Sequence, residues 1–201
     1  MLYVQKSEDD RMSLFNNYKK NPVDTMININ NPADCCGCTA CASICAHDAI
    51  TMKPDALGFL YPEVDRSKCV DCGLCEKVCA FNDDYDKSLN IDNPLAYAAR
   101  HKNEEELRYS RSGAVFVAMS DYILEHGGVV YGAGYADHYR VVHKRATTKE
   151  ECNEFKGSKY VQSDMNTVFR QVKQDLKAGL AVLFSGTPCQ TAGLNSYIGK
   201  A

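Results

Sequence analysis

The sequence predicts an α+β protein in two parts, a small cysteine-rich module followed by an α/β domain. Three observations lead to this. Eight of the eleven cysteines fall into two identical spacings between residues 35 and 79. Only two short alternating apolar runs lie between those spacings. From Leu95 onward, strand-like and helix-like apolar patterns alternate. The expected organisation is a polar N-terminal arm at 1–32, the module at 33–82, an acidic linker at 83–94 and the α/β domain at 95–201.

The cysteine-rich module rests on its spacing. Cys35, Cys38, Cys41 and Cys45 follow C-x2-C-x2-C-x3-C, and Cys69, Cys72, Cys75 and Cys79 repeat it 34 residues later, in "CVDCGLCEKVC". No apolar run is long enough to span a membrane, and the N-terminus is too polar for a secretory signal. The chain is therefore expected in the cytoplasm, where thiols stay reduced and dense cysteines mean metal or redox chemistry. A [4Fe–4S] cube wants four thiolates. Three cysteines on one tight loop can take three corners, and in two-cluster ferredoxins the fourth, on the short helix that follows, ligates the other cube. The expected sets are Cys35, Cys38, Cys41 and Cys79 for one cluster, and Cys69, Cys72, Cys75 and Cys45 for the other. Gly37, Ala40 and Gly73 let backbone N–H groups approach the sulfides. A four-cysteine zinc site from Cys35, Cys38, Cys69 and Cys72 is the competing reading, but it leaves Cys41, Cys45, Cys75 and Cys79 without a use. A disulfide frame is opposed by both compartment and spacing. Cys36, whose repeat counterpart is Val70, reads as a spare buried thiol.

Between the repeats, "AITM" and "FLYPEV" flank "KPDALG" and predict a hairpin turning at Asp55 and Gly58. Residues 33–82 as a whole resemble a ferredoxin-type module of the bacterial two-cluster family. One departure is that the usual proline after each fourth cysteine is Ala46 and Ala80. The arm, rich in Asn and charge, is expected to pack loosely at best.

The second part is justified element by element. "LAYAAR" predicts a short strand. "SRSGAVFVAMSDYILEHGG" predicts a helix with Val115, Met119, Tyr122 and Ile123 on its inner face, ended by Gly127 and Gly128. "VVYGAGYA" and "YRVVHKRA" predict strands. "TTKEECNEFKG" opens a helix through a Thr cap with Glu three residues on. "MNTVFRQVKQDLKAG" predicts an amphipathic helix with Val168, Val172 and Leu176 inward and Gly179 closing it. "LAVLFSG" predicts a strand buried on both faces. "TPCQTAGLNSYI" predicts a helix capped by Thr187 with Pro188 first. Cys189 falls in its first turn, where free N–H groups favour an anion. It reads either as a ligand or redox thiol, or as a small packed residue. Cys152 reads as structural. His101, His126, His138 and His143 read as surface or structural groups rather than acid–base catalysts.

Charge divides the same way. Residues 1–93 carry 9 Lys+Arg against 15 Asp+Glu, and residues 94–201 carry 14 against 11. A redox partner is thus expected on the acidic module, and an anionic cofactor suits the basic part, although ordinary scatter around neutrality explains the balance equally well. No basic stripe interleaved with aromatics indicates nucleic acid.

The stretches "SRSGAVFVAMSDYILEHGGVVYGAGY", "EFKGSKYVQSDM" and "VLFSGTPCQTAGL" resemble the coenzyme F-420 hydrogenase/dehydrogenase beta-subunit family over residues 95–201. The resemblance implies a flavoprotein-type fold binding FAD, fed by iron–sulfur clusters and exchanging a hydride with a small organic acceptor or donor. It implies that Ser110, Ser112, Gly113, Ser158, Lys159 and Thr187 line the flavin site. Cys189 is implied to stand beside the flavin or to ligate a further [4Fe–4S] cluster in a full-length protein. The family pattern has Gly-Gly after the serine where this chain has Gly113-Ala114. Family members run well past "GTPCQ", which implies that this chain is an N-terminal fragment with an incomplete flavin site. Two other functions fit the residues: a ferredoxin-type carrier with a partner-docking domain and no flavin, and a subunit whose clusters are purely structural.

Overall fold

Two very short helices, Ala40–Ile44 (α1) and Leu74–Lys77 (α2), each begin from a residue in the left-handed conformation, Thr39 at φ 68° and Gly73 at φ 71°. These positions are equivalent in the 34-residue repeat, as are Gly37 (φ 64°) and Asp71 (φ 53°). The repeat in sequence is therefore a repeat in backbone conformation. Between them, Ile50–Pro54 (β1) and Leu60–Val64 (β2) pair as an antiparallel hairpin. The Asp55 carboxylate accepts from the N–H groups of Leu57 and Phe59, and Gly58 sits at φ 88°, as the turn chemistry predicts.

The computed structural model describes residues 26–29, 32–82, 85, 87, 88 and 91–200. The expected arm at 1–25 and 30–31, and residues 83, 84, 86, 89 and 90 of the linker, lie outside them. The end of the arm that is described departs from the loose packing expected. Met26 and Ile27 are buried, and Ile27 belongs to the main core.

After the linker come Glu104–Tyr109 (α3), Val115–Glu125 (α4), Val129–Tyr135 (β3), Val141–Ala146 (β4), Lys149–Cys152 (α5), Val168–Lys177 (α6), Val182–Phe184 (β5) and Pro188–Lys200 (α7). β3 lies centrally, antiparallel to β4 and parallel to β5. A capping box between Thr148 and Glu151 starts α5, as the sequence predicts.

Four elements correct the sequence reading. Residues 95–100 form no strand; Leu95 and Tyr97 are exposed, and among the described residues no neighbouring strand offers a ladder. The helix expected from Ser110 begins only at Val115, because Ser112, Gly113 and Ala114 all take positive φ. Its core face is Phe116, Val117, Ser120, Ile123 and Leu124, while Met119 and Tyr122 are exposed. On α6, Phe169 rather than Leu176 completes the buried face with Val168 and Val172. β5 is a three-residue, half-buried edge strand rather than a fully covered one.

One core joins the two parts. Cys41, Ile50, Cys75 and Val78 of the cysteine module pack in a single cluster with Tyr131, Met165, Phe169, Leu194 and Tyr197. Polar contacts fix the same junction. The Arg170 guanidinium donates to the carbonyls of Ala42, Ser43 and Cys45 and to Asp48, at 2.8–3.1 Å. Those carbonyls close α1, where intrahelical partners run out and the dipole is negative. Gln162 donates to the Cys36 carbonyl and accepts from the Leu60 N–H, both at 3.0 Å. Cys152 is buried in a separate small cluster with Val130 and Ala146, and burial pushes its thiol up to about 11.

Arg170→Lys keeps the charge but loses the fork. The expected loss is about 1.5–3 kcal/mol of unfolding free energy, the scale of hydrogen bonds to a charged group. Chemical denaturation of the two proteins at matched pH checks it.

Candidate functional site

The eight repeat cysteines gather around two cavities. Cys35, Cys38, Cys41 and Cys79 line one, together with Cys36, Thr39 and Met52. Cys45, Cys69, Cys72 and Cys75 line the other, with His47, Val70 and Gly73. Each cavity thus takes three cysteines from one loop and the fourth from the other. The crossing arises because Cys45 stands at the C-terminal end of α1 and Cys79 two residues beyond α2, rather than on the helices themselves as the sequence reading expected. Among the described residues, no three His, Cys, Asp or Glu groups converge closely enough for a single metal ion. Each set of four cysteines lines one cavity, and four thiolates are what a [4Fe–4S] cube takes.

Backbone donors reach several of these sulfurs: Ile27 N–H to Cys75 at 3.2 Å, Gly37 N–H to Cys35 at 3.4 Å and Ala49 N–H to Cys45 at 3.4 Å. Such bonds favour the thiolate. Burial opposes them, pushing the Cys35, Cys75 and Cys79 thiols up and the Cys41 thiol far up. Thr39 Oγ1, buried in the wall of the first cavity, has no hydrogen-bond partner among the described residues. The donor set and the N–H groups aimed at it fit iron–sulfur clusters.

A cleft of about 970 Å³ lies between the β1–β2 turn, the start of α4 and the start of α7. Ser110, Ser112, Ser158, Lys159, Thr187 and Cys189 all line it, so three motifs far apart in sequence meet there. Gly113 is not in its lining; its carbonyl accepts from the His101 N–H behind the wall. The outward-facing Val115 and Met119 of α4 also line the cleft. That explains apolar residues on a face turned away from the core. The Lys159 ammonium is held by the carbonyls of Glu154 and Lys156, and burial lowers its proton affinity. Thr187 does not cap α7 in the expected manner. Its hydroxyl meets the Cys189 sulfur at 3.1 Å, and its N–H donates to Gln190 Oε1 at 2.9 Å.

A buried polar chain braces this wall. Gln190 Nε2 donates to Ser163 Oγ at 2.9 Å, and Ser163 Oγ lies 2.8 Å from His143 Nδ1. His143 Nε2 is 3.0 Å from the Ser185 carbonyl, which can only accept. Nε2 therefore carries the hydrogen, and Nδ1 accepts from Ser163. The ring stacks on Phe184. Sequence reading missed Gln190 and Gln162, whose partners are distant in the chain, whereas His143 takes the structural role expected of it. It also misjudged Cys36, which is half-buried and lines both the first cavity and the cleft rather than being sealed away.

Burial holds the His143 imidazole below its ordinary value of 6.5. The native chain then stays neutral where the unfolded chain binds a proton, so stability falls as pH drops below about 6.5. Tm measured across about pH 5–7 should show a shallower slope for His143→Gln than for the parent, a difference of at most about 1.4 kcal/mol per pH unit.

Comparison with known proteins agrees with the first half of this geometry. Residues 34–82 match the family model of the 4Fe-4S dicluster domain. No curated protein matches the chain. No helix among the described residues is long and apolar enough to cross a membrane. Residues 34–82 are thus an iron–sulfur module of the kind that carries electrons.

Proposed function

We propose that the protein is an iron–sulfur oxidoreductase, or a subunit of one, in which two [4Fe–4S] clusters exchange electrons with a flavin in the large cleft, and the flavin exchanges a hydride with a small organic molecule. The observation that carries this reading is convergence. The serine turn at Ser110–Ser112, the "GSKYVQS" loop and the "GTPCQ" helix start meet in one cleft, and Cys36 of the first cysteine loop forms part of its wall. The resemblance to the F-420 hydrogenase/dehydrogenase beta-subunit family supports FAD as the flavin. Ser110 supports it from the structure: its Oγ is buried at the cleft without a partner among the described residues, as a group awaiting a ligand would be.

Clusters supply one-electron steps and a flavin couples these to hydride transfer; the hard chemistry is theirs. The chain's residues bind and orient. Cys35, Cys38, Cys41 and Cys79 hold one cluster, and Cys69, Cys72, Cys75 and Cys45 the other. The second set is the outer one, since Cys72 is exposed beside exposed Val70 and Leu74. A redox partner protein docks there. The first set lies inward, sharing Cys36 with the cleft. Gly193 of α7 lies so close that a Cβ there would stand 2.7 Å from the Cys38 sulfur. Ser110, Ser112, Ser158 and Thr187 offer hydroxyls to the flavin, and the His143–Ser163–Gln190 chain keeps their loops in place.

Anaerobically prepared protein should contain about eight iron and eight acid-labile sulfides per chain, the content of two four-iron clusters. Metal analysis returning one zinc and no sulfide refutes the module reading. Flavin absorbance above the broad cluster background, in protein loaded with FAD, supports the enzyme; cluster absorbance alone returns the protein to the carrier reading. Cys45→Ser should alter the electron paramagnetic resonance of the cluster held by Cys69, Cys72 and Cys75 and leave the other signal unchanged. Damage confined to the first-loop cluster contradicts the crossed ligand sets.

A further inference from the structure

The residues lining the first cysteine cavity include one hydroxyl, that of Thr39. Thr39 is 2% exposed, and its Oγ1 is buried without a hydrogen-bond partner among the described residues. A buried hydroxyl left unpaired is unfavourable, and in a native chain it calls for a partner that the protein's own groups do not supply. The ordinary partner of a threonine at this place is the helix it starts. Thr39 is the N-cap residue of α1, yet its side chain makes no capping bond. Capping goes with extended backbone. Thr39 instead stands at φ 68° and ψ 7°, a left-handed conformation that β-branched residues rarely take. The equivalent residue of the second loop is Gly73, at φ 71°, which meets the same conformation without strain. The first loop therefore keeps a threonine where the second is built with glycine. Besides the cysteines, the rest of the first cavity's lining is Ile27, Ile29, Ala40, Met52, Pro62 and Phe81, with no side-chain hydrogen-bond donor among them. Apart from its cysteines, the described lining of the second cavity has one polar side chain, that of the exposed His47.

We propose that the Thr39 hydroxyl donates a hydrogen bond to the first cluster, the one held by Cys35, Cys38, Cys41 and Cys79, and so raises its reduction potential above what burial alone would give. Reduction adds negative charge to a cluster and its thiolates. A donor to the sulfurs stabilises that charge more in the reduced form than in the oxidised form, which favours uptake of the electron. An apolar wall acts in the opposite direction, because burial disfavours the more highly charged form. Thr39 thus tunes the cluster without ligating it, and its strained backbone is the means by which the hydroxyl is kept from the helix and left for the cluster. Gly73 offers no such group to the second cluster. The consequence is directional: the inner cluster stays able to take an electron from the outer, solvent-facing one. The inference rests on the cluster part of the function proposed above and not on the flavin.

The test uses the full chain, prepared anaerobically with both clusters and checked for iron and acid-labile sulfide. Reduction is followed by electron paramagnetic resonance during a potentiometric titration. The signal that Cys45→Ser alters belongs to the second cluster and assigns the other to the first. Thr39→Ala and Thr39→Ser both lose the methyl group and differ from each other by the hydroxyl alone. Thr39→Gly also relaxes the backbone and copies the second loop, so it keeps the test open if the bulkier variants assemble poorly. The expected result is a lower midpoint potential of the first cluster in Thr39→Ala and Thr39→Gly, a midpoint close to the parent's in Thr39→Ser, and an unchanged second cluster in all three. Equal shifts in the Ala and Ser variants assign Thr39 to packing and overturn the hydrogen bond. A parent-like first cluster in Thr39→Ala or Thr39→Gly overturns it as well, as does loss of the first cluster from the Ala and Ser variants alike. A parent chain that holds no iron and sulfide fails the cluster reading beneath the proposal, and the analysis made before titration tells that failure from the others.

Discussion

A five-residue helix has no stability of its own, yet α1 carries Cys41 and ends at Cys45. What holds it is a guanidinium brought in from more than a hundred residues downstream. Arg170 takes the carbonyls of Ala42, Ser43 and Cys45, the groups a helix end leaves without partners, and adds the Asp48 carboxylate. Arg170 sits beside Phe169, which is fully buried and packs edge-on to Phe184 and stacked on Tyr197. The first cysteine loop is therefore placed by the same turn of α6 that anchors the three-stranded sheet.

From there the order of parts follows. The loop fixed by Arg170 and Gln162 presents Cys38 to α7 and Cys36 to the cleft. The second loop is held by its own side of the module and by the buried segment at Met26 and Ile27, and it leaves Cys72 at the surface. One face of the module is thus built into the protein and the other is open. The cleft walls are braced by a chain of side chains from three separate segments: Gln190 from α7, Ser163 from the loop before α6, and His143 from β4.

How much of this was legible in the sequence depends on the range of the interaction. The ligand spacing, the hairpin turn at Asp55 and Gly58, the capping box at Thr148 and the helix stops at Gly127 and Gly179 are local devices, and the chain states them within a few residues. The errors fall where tertiary context decides. Met119 looked inward because its spacing is helical, but it faces a cleft that no periodicity can announce. Leu95 and Tyr97 have strand-forming chemistry and no sheet edge to join. Arg170 reads as an ordinary polar-face residue of an amphipathic helix, and Cys36 as an interruption of a rhythm. The three motifs that meet in the cleft were visible separately, but their convergence was not.

The two halves of the repeat solve one backbone problem with opposite glycines. The first loop has Gly37 then Thr39, the second Asp71 then Gly73, at matched left-handed positions. The difference lies in what each loop touches. A Cβ at Gly37 would collide with the Gln162 amide and stand 2.8 Å from the Leu60 carbonyl, whereas Asp71 is exposed. The two halves therefore differ in how freely these positions can be substituted. The docked half has no room for a side chain where its neighbour sits, and the solvent-facing half has. The placement of two glycines thus marks which side of the module is attached to the rest of the protein.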